Sequence, residues 1–254
     1  MNMSKLAKLL YDMGTVFDGF KGTLVTTEDF LRSGDTNGLA TIPNRDLMLD
    51  LRECSLRALN YDYQDKPFDH SLLQYINAGI TRTASLWPGK IRYDQHIAVN
   101  TVYGVRYVPS IPDIESLDEI MKSCDENVEE NPMGTASMLF VELAKAQPFW
   151  DGNKRTALLA ANGMLSKHGF TDQYFTVPSD ERSVEFNRLL SDYYLDRNND
   201  IISWLSNVNK DLSSQQLEPN NDKKSFPLGG IHVRSHYRKG IHVHSYNRNV
   251  NHKQ

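Results

Sequence analysis

Helical periodicity recurs along most of this chain, whereas a single segment has the composition of β-strands. The predicted helices are 1–13, a short helix that stops at Gly34, 44–59, 69–78, 114–124, 135–146, 153–168, 181–195 and 200–207. The exception is 89–110, whose β-branched and aromatic residues predict a short hairpin or flap with Gly104 near its bend. Because strands do not alternate with helices, the pattern favours a mainly α helical bundle and argues against βαβ units.

Polar residues mark where two of these helices should begin. Thr26 or Thr27 can cap the short second helix, and Ser179 or Asp180 can cap the helix at 181–195. In each case a side-chain oxygen would accept a hydrogen bond from a backbone N–H of the first turn.

The composition is that of an ordinary globular protein, with 39% apolar and 24% charged residues among 254. No run of about 18 apolar residues is present, which predicts no membrane span, and the first residues lack the apolar core of a secretory signal. Cys54 and Cys124 lie far apart and offer neither a disulfide framework nor a zinc signature. We therefore expect a protein of a reducing cytoplasm, either in the cell that makes it or in one that receives it.

Charge is distributed unevenly between the body and the C-terminal tail. Seven Lys and Arg and no acid follow Asp222, so the other 21 of the 28 cations face all 32 acids, a net charge of −11. An acidic body with a basic tail suggests a homo-oligomer as one possible assembly. A polar linker at 209–229 separates the two parts.

The tail contains a tandem repeat, GIHVRSHYRK at 230–239 followed by GIHVHSYNRN at 240–249. A period of ten residues is too short for a helical solenoid, and the composition favours extended segments that could pair as a hairpin. Three interpretations remain open: a flexible or cleavable tail, a polyanion-binding patch in which Tyr237 and Tyr246 interleave with arginines, and metal binding. The tail holds five of the eight histidines: His232, His236, His242, His244 and His252.

The segment QPFWDGNKRTAL, 147–158, places charge of both signs at the start of the strongest helix. A helix that begins near Asn153 directs backbone N–H groups and a partial positive charge at a ligand. Gly152 permits close approach, and Asn153 adds a side-chain amide donor. Lys154 and Arg155 add positive charge, and together these residues predict a cradle for a di- or triphosphate.

Asp151 adds a carboxylate to this cradle. One carboxylate oxygen can hold Mg²⁺ while phosphates and water complete its octahedron. The simpler alternative is that Asp151 caps the helix, that D-G-N is a turn, and that Phe149 and Trp150 are core residues.

This segment resembles the signature of the Fic/Doc (Fido) family, H-x-F-x-[D/E]-G-N-x-R, and it lies in the expected context. A helix precedes it, a helix follows it, and a β flap lies about forty residues upstream. GTLVTTEDFLRSG, 22–34, is similar to the short helix near the start of Fic proteins, so the resemblance covers roughly 15–207. It implies a Fic-fold helical bundle with a short β-hairpin flap.

The resemblance implies a protein adenylyltransferase, which moves AMP from Mg·ATP to a Ser, Thr or Tyr hydroxyl of a target protein. By this resemblance, Phe149 anchors the loop and Asp151 binds Mg²⁺. An anion hole is formed by Gly152, Asn153 and Lys154, and Arg155 binds the outer phosphates. The target is aligned by strand addition at Val105, Arg106, Tyr107 and Val108. A lysine after the asparagine is Doc-like, so phosphate transfer is the alternative reaction.

Gln147 occupies the position of the family's histidine, the general base. An amide cannot accept the hydroxyl proton, and loss of a base typically costs about 10²–10⁴-fold in rate. His168 lies about 22 Å along the same helix from Asn153 and is too far to replace it; His96, near the flap, is the other candidate. Because a glutamine can still orient a nucleophile, we expect impaired transfer. A catalytically inactive nucleotide-binding regulator, or an antitoxin-like binding partner, is the alternative.

Two further positions depart from the family pattern. Leu158 stands where many Fic proteins have a second arginine, and we expect it to pack in the core. The stretch GTVFDGF, 14–20, is the nearest match to the family's inhibitory pattern [S/T]-x-x-x-E-[G/N], in a poor register. Asp18 is thus either a self-inhibitory acid or part of a turn after the first helix.

These observations predict four parts of the chain. They are an N-terminal helical region, 1–88; a Fic core with flap and motif loop, 89–208; a linker, 209–229; and a basic, His-rich tail, 230–254.

Overall fold

The computed structural model describes residues 1–83 and 87–215, with side chains through 212, and the backbone of four strands between 230 and 249. The described body contains α1 (Met3–Asp18), α2 (Leu24–Ser33), α3 (Ile42–Leu59), α4 (His70–Asn77), β1 (Val99–Asn100), β2 (Arg106–Tyr107), α5 (Ile114–Asn127), α6 (Pro132–Ala146), α7 (Asn153–Lys167), α8 (Ser183–Tyr194) and α9 (Asp200–Gln215). None of these helices combines the length and the apolar composition needed to cross a bilayer. The predicted mainly α fold is confirmed.

The centre of the bundle is formed by α6 and α7, which pack against each other while α6 also contacts α5 and α9. Nearly every side chain of α7 from Asn153 to Leu165 is buried, which is typical of a helix enclosed by neighbours on all sides. Phe140 of α6 packs on Phe175 and Phe186, with ring centroids 5.7 and 6.2 Å apart. The loop that joins α6 to α7 therefore lies between two helices that are packed in the core.

Several helix boundaries differ from the prediction. Thr23, not Thr26 or Thr27, caps α2: its side chain accepts from the backbone N–H of Thr26, whose hydroxyl oxygen accepts from the backbone N–H of Thr23. No side chain caps α8, so the prediction of a cap by Ser179 or Asp180 is wrong. The Ser179 hydroxyl donates to Oδ1 of Asp12 at 2.5 Å, and Oδ1 of Asp180 accepts from the backbone N–H and Nε of Arg182, each at 3.0 Å.

Two helices are longer than predicted. α1 continues past 13 to Asp18, and its last two residues reach the motif loop. α9 continues past Asn207 to Gln215, so the first residues assigned to the linker are helical. Asn209 is buried there, and its side chain accepts from the backbone N–H of Thr176 and donates to the carbonyl of the same residue.

The predicted flap is present, but its paired strands are only two residues long each. Val99 pairs with Tyr107 and Asn100 with Arg106 in antiparallel register. Gly104 lies in the turn with φ of 72°, a left-handed conformation that favours glycine. The rest of 89–110 is irregular, and within it Ile91 and Arg92 bind the motif loop through their backbones, as described below.

The two tail repeats pair with each other. β3 (Gly230–Val233) and β4 (His236–Arg238) lie in the first copy, and β5 (Ile241–Val243) and β6 (Tyr246–Asn249) in the second. β3 pairs with β6 and β4 with β5, both antiparallel. This is the pairing predicted as one alternative for the repeat, while the tail's histidine and tyrosine side chains lie outside the described residues.

Candidate functional site

The loop between α6 and α7 forms one wall of a cavity of about 210 Å³. The other walls are Phe17 and Asp18 at the end of α1 and residues 97–99, which lead into β1. The predicted residues of the motif, Gln147 and 151–155, all line this cavity. The structure therefore brings the predicted phosphate-binding groups together at one place.

Beneath the cavity, Phe149 is fully buried and anchors the loop. Its backbone forms an isolated antiparallel bridge with Ile91, and Arg92 N donates to Pro148 O at 3.0 Å. Trp150, which the alternative interpretation placed in the core, instead lines the cavity. It packs against Trp87 and Tyr93, whose ring centroids lie 5.3 and 5.4 Å from its own.

Gly152 is the residue at which the loop turns into α7. Its φ is 72°, and a Cβ built there would lie 2.0 Å from Cδ1 of Ile80. Both the backbone conformation and the close approach therefore require glycine. The N–H of Gly152 donates to Oδ1 of Asp151 at 2.5 Å, but Asp151 is not the N-cap of α7, because Gly152 occupies that position without a side-chain cap. The cap interpretation of Asp151 is wrong.

Asn153 does not present its amide to the cavity as a donor, contrary to the prediction of a side-chain donor for an anion. Its Nδ2 donates to Oε1 of Gln147 at 2.9 Å and to the carbonyl of Phe149 at 2.7 Å. Its Oδ1 accepts from the N–H of Phe149 at 2.7 Å. The side chain closes the loop on itself, so an anion would meet the backbone N–H groups at the start of α7.

Gln147 lies at the C-terminus of α6 with φ of 47°, a left-handed conformation. Its side chain is 6% exposed, and its Nε2 donates to the carbonyl of Ala144 at 2.6 Å. Gln147 thus braces the loop through Ala144 and Asn153.

Neither of the two considered histidines lies in the cavity wall. The His96 side chain is exposed, with Nε2 3.9 Å from Oδ2 of Asp94. His168, which follows the C-terminal end of α7, contacts Asp125 through Nε2 at 2.9 Å. The prediction that His168 is too far away is confirmed, and no histidine lines the cavity within the described part of the chain.

Arg155 is 4% exposed and forms the centre of the charged groups. Nη1 donates to Oγ1 of Thr83 at 3.0 Å, and Nη2 lies 3.4 Å from Oδ1 of Asp151 and 3.6 Å from Oδ1 of Asp18. Lys154 places Nζ 5.1 Å from the ring centroid of Phe17. Two cations and two carboxylates therefore share the cavity.

Burial is the largest influence on the pKa values of Asp18 and Lys154. It raises the pKa of the Asp18 carboxyl, while Arg155 lowers that pKa and Asp151 raises it further. It lowers the pKa of the Lys154 ammonium, and Asp18 opposes this effect. Burial thus disfavours the charged form of both side chains. A bound polyphosphate would pair with the cations and stabilise their charged form.

Three buried polar residues that the sequence did not single out support the site. Asn77 donates through Nδ2 to the carbonyl of Asp151 at 2.9 Å and to Oγ1 of Thr156 at 3.1 Å, and its Oδ1 accepts from the N–H of Gly89 at 2.8 Å. It joins α4, the loop and α7. An Asn at the end of a short helix gives no signal in the sequence for this role.

Arg92 is a buried cation under the same loop. Nε donates to the carbonyl of Gln147 at 2.6 Å, Nη2 to those of Ala146, at 3.3 Å, and Ser110, and Nη1 to that of Asp94 at 2.5 Å. Two of these carbonyls end α6, where the helix dipole favours a positive charge. Burial lowers the pKa of the guanidinium, and Tyr107 and Asp94 oppose the effect.

Asp50 of α3 is fully buried and organises the residues that hold Arg155. It accepts from the backbone N–H groups of Thr81, Arg82 and Thr83 at 3.3, 2.9 and 2.8 Å. It also accepts from the hydroxyl of Thr83 at 2.9 Å and from Nη1 of Arg82 at 3.0 Å. The Thr83 oxygen thereby lies where Arg155 can donate to it.

The flap residues Val105–Val108 lie outside the cavity wall, although Val99, the partner of Tyr107, lines it. Val105 and Val108 are exposed. Leu158 is fully buried, as predicted for an apolar replacement of an arginine.

The structure is a helical domain in which one cavity combines a glycine turn, a helix N-terminus and two cations. This combination suits the binding of a phosphorylated ligand. Residues 67–165 match the family described as Fic/DOC. This part of the chain is similar to Fic/DOC family domains. No curated protein matches the chain.

Solved structures of Fic-domain proteins share the fold. Fic-1 (residues 134–508) from C. elegans has a TM-score of 0.66 at 20% identity, over 83% of this chain and 62% of that one. A Fic-domain-containing signalling protein from Bacteroides thetaiotaomicron has a TM-score of 0.60 at 19% identity, over 82% of this chain and 81% of that one. A Fic family protein from Desulfovibrio desulfuricans has a TM-score of 0.64 at 14% identity, over 86% of this chain and 67% of that one. This chain thus spans about three fifths of the C. elegans structure.

Proposed function

We propose that this protein is a Fic-type adenylyltransferase, which transfers AMP from Mg·ATP to a Ser, Thr or Tyr hydroxyl of a target protein. The observation that carries the proposal is the convergence of Lys154, Arg155 and Asp151 on the N-terminus of α7 in one cavity. The match of residues 67–165 to the Fic/DOC family supports it.

The residues present suit a magnesium-bound nucleotide. Asp151 has a half-exposed side chain beside two cations, and Mg²⁺ in phosphate sites commonly binds one or two carboxylates and the phosphates. When bound, Mg·ATP would supply the electrophilic phosphorus and neutralise part of the phosphate charge. Arg155, Lys154 and the first backbone N–H groups of α7 would bind phosphate oxygens, and Phe149 and Asn153 would keep the loop in shape.

The flap gives this function a place for the target. β1 and β2 form a two-stranded sheet, and Val105 and Val108 expose their side chains on either side of β2. An extended target segment can add to such an edge through backbone hydrogen bonds. The Arg106 and Tyr107 backbone would then set the segment's register relative to the cavity.

Two alternatives follow from particular residues. Lys154 after Asn153 favours a Doc-like phosphotransferase, because it changes which phosphate the cradle would hold. Gln147, bound to Ala144 and Asn153, favours a catalytically inactive nucleotide-binding regulator or an antitoxin-like binding partner, because it offers no proton acceptor near neutral pH. With Gln147 in place, we propose that AMP transfer is slow.

Labelled ATP separates these functions. Transfer of label from the α-phosphate to protein supports adenylyl transfer, and transfer from the γ-phosphate alone supports phosphotransfer. Thermal stabilisation by Mg·ATP without either label supports the regulator. The absence of both transfer and stabilisation would contradict a nucleotide site.

The location and assembly of the protein are also proposals. Cys54 and Cys124 are buried free thiols, and burial raises the pKa of each to about 12, so they are unreactive packing residues suited to a reducing cytoplasm. We propose that the basic tail contacts a polyanion and that the acidic body and basic tail permit a homo-oligomer.

Replacing Asp151 with alanine is expected to abolish the Mg²⁺-dependent part of nucleotide binding. The carboxylate is the metal ligand in the proposal, and no neighbouring group replaces it, because Asp18 is desolvated and faces Arg155. Calorimetric titration with ATP, with and without Mg²⁺, measures the effect. Asp180→Ala is the matched control, since its carboxylate is also about half exposed but does not line the cavity. Equal Mg²⁺ dependence in Asp151→Ala and the native chain would contradict the assignment.

We propose that Asp18 restrains the site by holding Arg155. Replacing it with asparagine is expected to raise ATP affinity about tenfold, equal to 1.4 kcal/mol, because a desolvated carboxylate beside the cradle repels phosphate and competes for Arg155. Asp12→Asn is the control: Asp12 is a buried carboxylate of the same helix, bound to Thr176 and Ser179 away from the cavity. Unchanged affinity in Asp18→Asn would show that Asp18 only packs at the end of α1.

A further inference from the structure

The tip of the flap is attached to α8 by two hydrogen bonds. The backbone N–H of Val102 donates to Oγ of Ser191 at 3.1 Å. The hydroxyl of Tyr103 donates to Oδ1 of Asp192 at 2.8 Å. These contacts join residues 89 positions apart in the sequence, so the flap is positioned by the tertiary fold.

The acceptors on α8 are themselves held in place. Asp192 is 4% exposed, although it is an acid at the surface of the bundle. Its Oδ2 accepts from Nη1 of Arg188 at 2.8 Å, and its Oδ1 lies 3.6 Å from Nη1 of Arg197. The guanidinium carbon of Arg197 lies 4.2 Å from the ring centroid of Tyr103, so the same cation contacts both the acid and the ring. Asp192, Arg188 and Arg197 form what we call the α8 socket.

The base of the flap contacts the same helix. Tyr107 of β2 stacks on Tyr194, with ring centroids 5.2 Å apart and planes 3° from parallel. Its hydroxyl donates to the carbonyl of Lys145 at the end of α6. Residues 191 and 192 of α8 thus hold the flap at its tip, and residue 194 holds it at its base.

The flap needs such attachments because its own interactions are few. β1 and β2 share two residue pairs, and an isolated two-stranded ribbon is at best marginally stable in water. The tip buries little, since Val102 and Tyr103 are both exposed. The polar contacts with α8 are therefore a main restraint on where the outer part of the ribbon lies.

We propose that the α8 socket, with Asp192 at its centre, is a positioning device for target binding: it fixes the edge of β2 relative to the cavity before a target arrives. The role in target binding rests on the proposed function, whereas the restraint of the flap by α8 does not. A segment that is already ordered loses less conformational entropy when a target strand adds to it, so the socket lowers KM for the target. Asp192 and Tyr103 act through β2 and touch neither nucleotide nor the reacting atoms.

Amide hydrogen exchange of the full chain tests the restraint without any activity. In Tyr103→Phe and in Asp192→Asn, we expect the Val102 amide and the amides of 99–107 to exchange about 3–10-fold faster, the range that one lost hydrogen bond allows. Tyr103→Phe removes a single hydroxyl, and Asp192 keeps its contacts with Arg188 and Arg197, so the unfolding midpoint should change little. Tyr75→Phe is the matched control, because Tyr75 in α4 is 44% exposed against 41% for Tyr103 and lies outside the socket. Native exchange at Val102 in both variants overturns the proposal.

The role in target binding is tested on the same proteins, in a Gln147→His background if the native chain labels slowly. We expect the target KM to rise several-fold in Tyr103→Phe, with ATP affinity and kcat close to those of the parent. Faster flap exchange with an unchanged KM overturns the positioning role. Faster exchange in a chain that transfers no label in either background contradicts the proposed transferase and leaves the socket standing as a restraint on the flap.

Discussion

Replacing Gln147 with histidine is expected to raise transfer of AMP to protein by about 10²–10⁴-fold, the usual contribution of a general base. The position lies in the wall of the cavity that brings together Asp151, Lys154 and Arg155. Among its described residues, this wall has no histidine, the side chain whose ordinary pKa lies nearest to neutral pH. Histidine at 147 therefore adds a proton acceptor to a cradle whose other groups are in place.

The backbone at this position accepts the change. Gln147 has φ of 47° and ψ of 59°, and histidine is among the residues found more often than most in the left-handed region. The substitution loses the bond from Nε2 to Ala144 and alters the contact with Asn153, so a small fall in stability is expected alongside the gain in rate.

Label from the α-phosphate of ATP, followed in purified protein and in a cell lysate, measures the gain. Gln147→Asn is the control, because asparagine also tolerates the left-handed conformation and carries an amide without a usable base. Equal gains in the two variants would show that a change of loop shape, not proton transfer, is responsible. A histidine variant that binds ATP yet modifies nothing would contradict the transferase proposal.

The local parts of the site could be predicted from the sequence. A helix N-terminus, a glycine and two cations within 152–155 form a cradle by backbone geometry alone, and the structure places them on one cavity. The mainly α fold was also predictable, because α7 is rich in strong helix formers and is followed by Gly169, whose φ is 78°. The burial of Phe149 was predictable from its size and apolar character between two helices.

The supporting residues could not be found in this way, because distant parts of the chain supply them. Asn77 and Arg92 act on carbonyls of 146–151 that are adjacent only in the folded state. Side-chain direction was also hidden: Asn153 turns into the loop because its amide matches the N–H and C=O of Phe149. The contact of Asp18 with Arg155 depends on the packing of α1 beside α7. The 14–20 pattern offered a self-inhibitory Asp18 as one of two alternatives, but it did not indicate Arg155 as the partner.

Asp50 did leave a signal in the sequence. It lies three residues after Leu47 and just before Leu51, on the stripe of α3 that is buried in the core. An acid on an apolar stripe is expected to have partners, since burial of an unpaired carboxylate is costly. The sequence could thus have marked Asp50 as a buried acceptor, but not the 81–83 segment as its donor.

Replacing Asp50 with alanine is expected to lower the free energy of unfolding by about 2–4 kcal/mol, because the N–H groups of 81–83 lose their common acceptor. For a chain of this size the midpoint of thermal unfolding should fall by roughly 4–16 °C. Asp46→Ala is the matched control: it lies one turn earlier in the same helix, is only partly buried, and should change stability by less than about 0.5 kcal/mol.

The same substitution should also weaken nucleotide binding, measured at a temperature where the variant is folded. Without Asp50, the Thr83 hydroxyl is no longer held 3.0 Å from Nη1 of Arg155, so the guanidinium is free to stay with Asp151 and Asp18. Thr83→Val separates the two effects, because it keeps the backbone bond from Thr83 to Asp50 and removes the oxygen that accepts from Arg155. It also removes one of the five donors to Asp50, the Thr83 hydroxyl, while the three backbone donors remain. If Thr83→Val weakens ATP binding with little loss of stability, Asp50 acts on the site through Thr83; native affinity in both variants would restrict Asp50 to folding.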